Sequence, residues 1–188
     1  LDLVDIAAVA QMSKAAGARM VIDNVFATPL YQRPLELGAD IVVYSATKHI
    51  DGQGRCLGGA VLADEAFMAE HFIPFYRNTG PSMSPFNAWI MLKALETLQI
   101  RVERQCANAL AFAQFCEAHP KIGMVRYPGL DSFPQRELAK RQMSGFGNLV
   151  TFEIIGDKAA TFRVLDALEL IEVDYQALDS VTDPVTAI

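Results

Sequence analysis

A lysine stands where an apolar run gives way to a glycine-rich turn: residues 41–59 read "IVVYSATKHIDGQGRCLGG". The hydroxyls of Ser45 and Thr47 come just before Lys48, and Gly52, Gly54, Gly58 and Gly59 follow it. Three chemistries compete for this spacing: a surface lysine after an ordinary strand, a loop that grips phosphate, or an amine that bonds covalently. The phosphate loop is the weakest of them. "GQGRCLGG" fits neither GxGxxG nor GxxxxGKS/T, and Lys48 precedes the glycines instead of following them. Upstream, "RMVID" closes another short apolar run on Asp23, 25 residues before Lys48. That separation fits one strand, a crossover and the next strand. In a parallel α/β sheet, ligands gather beyond the carboxyl ends of the strands. Neighbouring strands would therefore bring one carboxylate, two hydroxyls and an amine to a single rim.

Such a set suits a ligand with an anionic group, a protonatable ring nitrogen and an electrophilic carbonyl. Pyridoxal 5'-phosphate has all three. A lysine amine can bond its aldehyde, a carboxylate can keep its ring nitrogen protonated, and hydroxyls can donate to its phosphate. Taken singly, each residue has a plainer reading. A lone lysine after a strand is most often solvated. Asp23 alone reads as a cap or turn residue, and Ser45 and Thr47 as hydroxyls satisfying backbone groups. His49 and Arg55 face substrate or a partner chain, or serve as structural hydrogen-bonding groups. Cys56 reads as a small buried thiol, and His71 and His119 as surface residues.

The elements that must position this set alternate between strand and helix. "DIAAVAQMSKAA" has a broad apolar face, Asp5 or Asp2 to cap its start and Gly17 as its stop. "RMVID", "IVVYS" and "GGAVLA" read as short buried strands, with "ATPLYQRPLELGAD" a loop containing a short helix. This pattern predicts an α/β layer with a mainly parallel sheet. Residues 84–119 then carry a helical pattern opened by Ser84-Pro85 and ended by Pro120. It is long for one globular helix, so a bend or a domain connection is expected. Trp89, Met91, Leu92, Leu95 and Leu98 form its expected packing face. "GMVRYPGL", "GNLVTFEII", "KAATFRVLDAL" and "LELIEV" indicate a smaller α/β unit. The domain boundary is placed near Arg104, giving a first unit over 1–104 and a second over 105–188.

Composition narrows the function. The 188 residues hold 16 Lys+Arg against 22 Asp+Glu, a net charge of −6, with 52% hydrophobic and 20% charged residues. An acidic chain without a basic run is a poor match for nucleic acid or an anionic membrane, and neither is expected as a partner. Three cysteines without CxxC or a His/Cys cluster argue against a disulfide framework and a metal site. A reducing, cytoplasmic location is the expectation. No apolar stretch reaches spanning length. The chain opens at Leu1 inside a helix-like pattern and reads as an internal piece of a longer protein.

These residues resemble a known family. "VIDNVFATPLYQRPLELGADIVVYSATKHIDGQGRCLGGAVL" is similar to the Cys/Met-metabolism family of pyridoxal-phosphate enzymes, whose lysine signature is matched by Asp40 to Lys48, "DIVVYSATK". The likeness extends through "SPFNAWIMLKALETL" and "YPGL" to about residue 173. It implies the fold type I architecture of these transferases, with the C-terminal part of the large sheet domain joined to part of the small domain. It also implies that Lys48 anchors the cofactor covalently, Asp23 pairs with its ring nitrogen, and Ser45 and Thr47 hold its phosphate.

Within the family, "KHIDGQGRCLGG" is most similar to the branch that uses O-succinylhomoserine and sulfide. That implies γ-replacement yielding homocysteine and succinate, with an amino-acid ester and sulfide as small-molecule partners. Cystathionine γ-synthase or γ-lyase chemistry is the alternative, and an inactive truncated homologue the non-enzymatic one. Relatives are tetramers of close dimers, so the resemblance implies a homo-oligomer. Their upstream phosphate loop and stacking tyrosine have no counterpart in this sequence, and "VDYQALDSVTDPVTAI" departs from their carboxylate-binding pattern. Val25 stands where many relatives have threonine. The piece alone is expected to be weak or inactive.

Overall fold

The computed structural model describes residues 1–170. Helix α1 (Ile6–Ala15) is started by Asp5, whose Oδ1 accepts from Ala8 N at 3.1 Å. Strand β1 (Val21–Asp23) follows, then a crossover with the short helix α2 (Thr28–Tyr31) and one 3₁₀ turn (Pro34–Leu37). Strand β2 (Ile41–Ser45) lies parallel to β1, with Asp23 opposite Val43.

Strand β3 (Gly59–Ala63) runs antiparallel to β2, with Ser45 opposite Gly59. The expectation of a mainly parallel sheet therefore holds for one of its two strand pairs. The reason lies in the loop between β2 and β3, which never crosses the sheet. Ala46 N donates to Gly58 O at 2.9 Å, so the chain re-enters at the end where β2 finished.

Alternation along the strands divides their side chains between two faces. Ile22, Val42, Tyr44 and Ala60 pack with Ile6 and Ala10 of α1 and with Met20 and Ala39 to form one core. Val21 and Asp23, on the opposite face, stay exposed.

A helical run in three pieces follows: α3 (Glu65–Phe67), a π-type turn (Met68–Phe72) and α4 (Ile73–Thr79). The long helical pattern resolves into α5 (Pro85–Leu95) and α6 (Leu98–Ala118), broken at Glu96 and Thr97. Ser84 caps α5 through Asn87 N at 3.2 Å. The expected packing face is used only in part. Met91 and Leu98 are buried, whereas Trp89, Leu92 and Leu95 are exposed. Helix α5 is apolar on nearly every side, so its sequence does not say which face meets the sheet.

Beyond α6 come β4 (Ile122–Arg126), α7 (Arg136–Gln142), β5 (Thr151–Ile154) and α8 (Lys158–Asp166). Strands β4 and β5 pair antiparallel, and a second core forms from Ala109, Ala113, Tyr127 and Leu130. The buried Tyr127 hydroxyl donates to Gly147 O at 2.9 Å. Burial, with Cys106 and Tyr31 nearby, pushes that phenol up to about 12.

The N-terminal segment ties the two cores together. Arg141 pairs with Asp5 at 2.6 Å, and Gln135 exchanges hydrogen bonds of 2.7 Å with the backbone of Leu3. Of the expected "LELIEV" strand, residues 168–170 form no strand, and the rest of it, with the tail that departs from the family pattern, lies outside the described residues.

Candidate active site

The rim of the three-stranded sheet is built by the ends of β1 and β2. Asp23 and Val43 are register partners, so Asp23 and Ser45 project from the same face, the one turned away from α1. Their chain neighbours, Asn24 after Asp23 and Tyr44 before Ser45, point the other way. There Asn24 Nδ2 donates to Tyr44 Oη at 2.9 Å inside the core.

Asn24 anchors a buried polar knot behind the rim. Its amide also donates to Gln32 O at 3.0 Å and Thr28 O at 3.3 Å, and its Oδ1 accepts from Gln32 Nε2 at 2.7 Å. Thr28, nearly fully buried, takes a left-handed φ of 62° to complete that turn. This is a costly conformation for a β-branched residue, held by the surrounding bonds. Asp23 itself stays exposed, with Oδ1 accepting from Val25 N at 3.0 Å.

Lys48 sits on a single π-type turn (Ala46–Ile50) that leaves β2. Asp51 N donates to Ala46 O at 2.8 Å and Gly52 N to Lys48 O at 2.7 Å, but Lys48 itself is non-helical at φ −83° and ψ −110°. The kink turns the lysine outward: it is exposed, and among the described residues its ammonium forms no ion pair. The Ser45 hydroxyl, half-buried on the open face, likewise has no hydrogen-bond partner among the described residues.

Thr47 is different. Its Oγ1 accepts from Gly58 N at 3.1 Å and donates to Gly58 O at 3.4 Å, closing the loop onto its own start. That hydroxyl's only proton is engaged in the longer of the two bonds, so an added acceptor must compete with a weak partner.

The glycine-rich stretch is organised by two residues that pattern reading did not single out. Asp51 is fully buried: its Oδ2 accepts from Arg55 N at 2.7 Å and Gln53 N at 3.4 Å, and its Oδ1 pairs with Arg55 Nε at 2.9 Å. Burial pushes this carboxyl up, and the Arg55 and Gln53 hydrogen bonds with the Arg55 charge outweigh it, so the group lies below the usual carboxylate range. Arg55 thus makes the hydrogen bonds that its structural reading expects.

Arg101, from α6, donates to His49 O at 2.9 Å and Ile50 O at 3.2 Å. His49 is half-buried with its ring edge-on to Phe26, and its Nε2 is buried without a partner. Burial, then the Arg101 charge, lowers its pKa. No spacing signal in the sequence connects Arg101 to a segment fifty residues earlier. The one available sign for Asp51 was an acidic residue set among glycines. Cys56 is only half-buried, and His71 and His119 lie apart from the rim.

Residues 1–179 match a family model described as Cys/Met metabolism PLP-dependent enzyme. The O-succinylhomoserine sulfhydrylase of Mycobacterium tuberculosis is 52% identical over 98% of this chain and 47% of its own length. The cystathionine beta-lyase of Coxiella burnetii is 44% identical over 90% of this chain and 44% of its own length. Among solved structures, the methionine gamma lyase CalE6 of Micromonospora echinospora superposes with a TM-score of 0.87. It is 37% identical over 93% of this chain and 47% of that one. The chain spans about half the length of the curated relatives it matches. With family model, sequence and fold in agreement, the chain belongs to the Cys/Met-metabolism family of pyridoxal-phosphate-dependent enzymes.

Proposed function

We propose that the full-length protein carrying this chain performs γ-replacement on O-succinylhomoserine, with sulfide displacing succinate to give homocysteine. The supporting observation is the rim: Asp23 and Ser45 share the open face of the sheet, and Lys48 turns outward from the next segment with no ion-pair partner among the described residues. The donor set fits the family's cofactor. One anionic group, one free hydroxyl and one uncommitted amine match a protonated ring nitrogen, a phosphate and an aldehyde. When bound, pyridoxal phosphate supplies an electron sink for negative charge beside the substrate amine.

The chain's own residues have separable tasks. Asp23 holds a proton at the ring nitrogen, since a carboxylate facing it favours the charged form. Ser45 Oγ donates to a phosphate oxygen, and Thr47 can do the same by releasing Gly58 O. Lys48 Nζ would hold the aldehyde carbon, and as a free amine it would be the base that receives the substrate Cα proton and carries protons during loss of succinate and addition of sulfide. Residues 1–104 read as the C-terminal part of the cofactor-binding domain and 105–188 as part of the small domain. The two separate hydrophobic cores support that division.

The acyl group and sulfur donor rest on the 52% identity to a sulfhydrylase and on the loop after Lys48. Relatives with lyase names share the fold, so the assay must separate them. Full-length protein is supplied with O-succinylhomoserine and either sulfide or cysteine. Homocysteine and succinate formed in equal amounts from sulfide support the proposal. Cystathionine from cysteine as the main product, or 2-oxobutyrate without a sulfur donor, overturns it.

A further inference from the structure

The π-type turn bearing Lys48 ends on carbonyls that the local backbone cannot satisfy. Gly52 N goes to Lys48 O, while the Gln53 and Arg55 N–H groups both turn to Asp51 Oδ2. That leaves His49 O and Ile50 O without a following backbone donor, and Arg101 fills both places. Its Nη1 donates to His49 O at 2.9 Å and its Nη2 to Ile50 O at 3.2 Å. The guanidinium is itself fixed to the α5–α6 corner: Nη2 also donates to Ala94 O at 3.0 Å and Nε to Thr97 Oγ1 at 3.1 Å.

Among the described residues Arg101 has no ion-pair partner, so its charge is directed at backbone carbonyls. These carbonyls form the negative end of a helical turn and accept from the guanidinium, while burial and then the Arg55 charge lower the Arg101 pKa. The planar fork holds two acceptors in a fixed geometry, whereas an ammonium is a point charge on a flexible stem. Gly52 leaves the room. With φ of +67°, it presents to Arg101 the side where a Cβ would lie 1.7 Å from Nη1.

We propose that Arg101 is a positioning residue: by clamping the two carbonyls after Lys48 to the α5–α6 corner, it sets the direction in which the lysine leaves the turn. This rests on the reading of Lys48 as the cofactor anchor and extends it to a residue on another element. The clamp acts through the backbone and requires no contact between Arg101 and the cofactor. Misaiming an amine by about 1 Å can cost ~100-fold in rate while leaving substrate binding intact.

The test uses the full-length protein with four substitutions: Arg101→Met, Arg101→Lys, Gly52→Ala and Gly54→Ala. Gly54 has nearly the same φ, +64°, with nothing within 4 Å of a built Cβ, so it controls for backbone strain alone. Arg101→Met and Gly52→Ala should each lower kcat by about 10- to 100-fold. KM should change by less than about 2-fold, and the absorbance band of the lysine-bound cofactor should shift. Arg101→Lys should recover part of the loss, and Gly54→Ala should keep the wild-type band and kcat. In the cofactor-free protein, amide exchange at Asp51 and Gly52 should be faster in Arg101→Met.

Wild-type kcat and band in Arg101→Met would overturn the proposal, as would equal losses in Gly54→Ala and Gly52→Ala. If Arg101→Met does not fold, the two glycine variants decide. A wild-type protein without a lysine-bound band would instead remove the Lys48 reading beneath it.

Discussion

Asp51→Ala is the sharpest probe of how the segment after Lys48 is held. The substitution deletes a fully buried carboxylate that accepts from Arg55 N at 2.7 Å, Arg55 Nε at 2.9 Å and, weakly, Gln53 N at 3.4 Å. Hydrogen bonds to a charged group contribute about 1.5–3 kcal/mol each. The sum is smaller here, because the Arg55 side chain is 38% exposed and regains water when its partner is lost. The expected loss is therefore about 2–4 kcal/mol. Asp51→Asn keeps the shape but turns an NH₂ toward an Arg55 donor, and should cost about 1–3 kcal/mol.

The pH dependence fixes the sign. The folded carboxyl lies below its ordinary value of 3.8, so its contribution is complete above that value and disappears as pH falls through the lowered one. Urea denaturation of wild type and Asp51→Ala should show the full gap near about pH 7, narrowing below about pH 4. A gap under about 0.5 kcal/mol at neutral pH would refute the reasoning. So would a gap that stays constant into acid.

Further outcomes follow from the same contacts. Thr47→Val removes both bonds to Gly58 and should destabilise the cofactor-free protein by about 1 kcal/mol; a hydroxyl that served phosphate alone would leave that stability unchanged. His49→Gln should flatten a segment of the stability–pH curve. The folded imidazole titrates below 6.5, so wild type loses stability as pH falls from there to the lowered value and then levels off. Tyr127→Phe strands Gly147 O in the second core and should cost about 1–2 kcal/mol in urea denaturation.

Local chemistry made much of this molecule legible before its coordinates. Asp5 and Ser84 cap helices where their side chains said they should, and the strands ending in Asp23 and Ser45 are neighbours in the expected direction. Those features depend on a few adjacent residues. What escaped depends on partners distant in sequence. The reversal of β3 follows from a loop tied to itself through Thr47 and Gly58, which spacing alone does not reveal. The break at Glu96 and Thr97 has no proline or glycine to mark it. Helix α5 is too uniformly apolar for its sequence to choose a face, and Trp89 and Leu92 fall on the exposed one. Arg101 looked like one charge among several on a long helix, and only the fold brings its guanidinium to the carbonyls behind Lys48.

Lys48 carries the central claim, and reductive trapping addresses it most directly. Full-length protein loaded with pyridoxal phosphate is treated with borohydride, digested, and mapped by mass spectrometry. The account predicts a stable pyridoxyl adduct on the peptide containing Lys48, absent from Lys48→Ala. An adduct on Lys14, Lys93 or any other lysine, or no adduct in a protein that turns over O-succinylhomoserine, would contradict it.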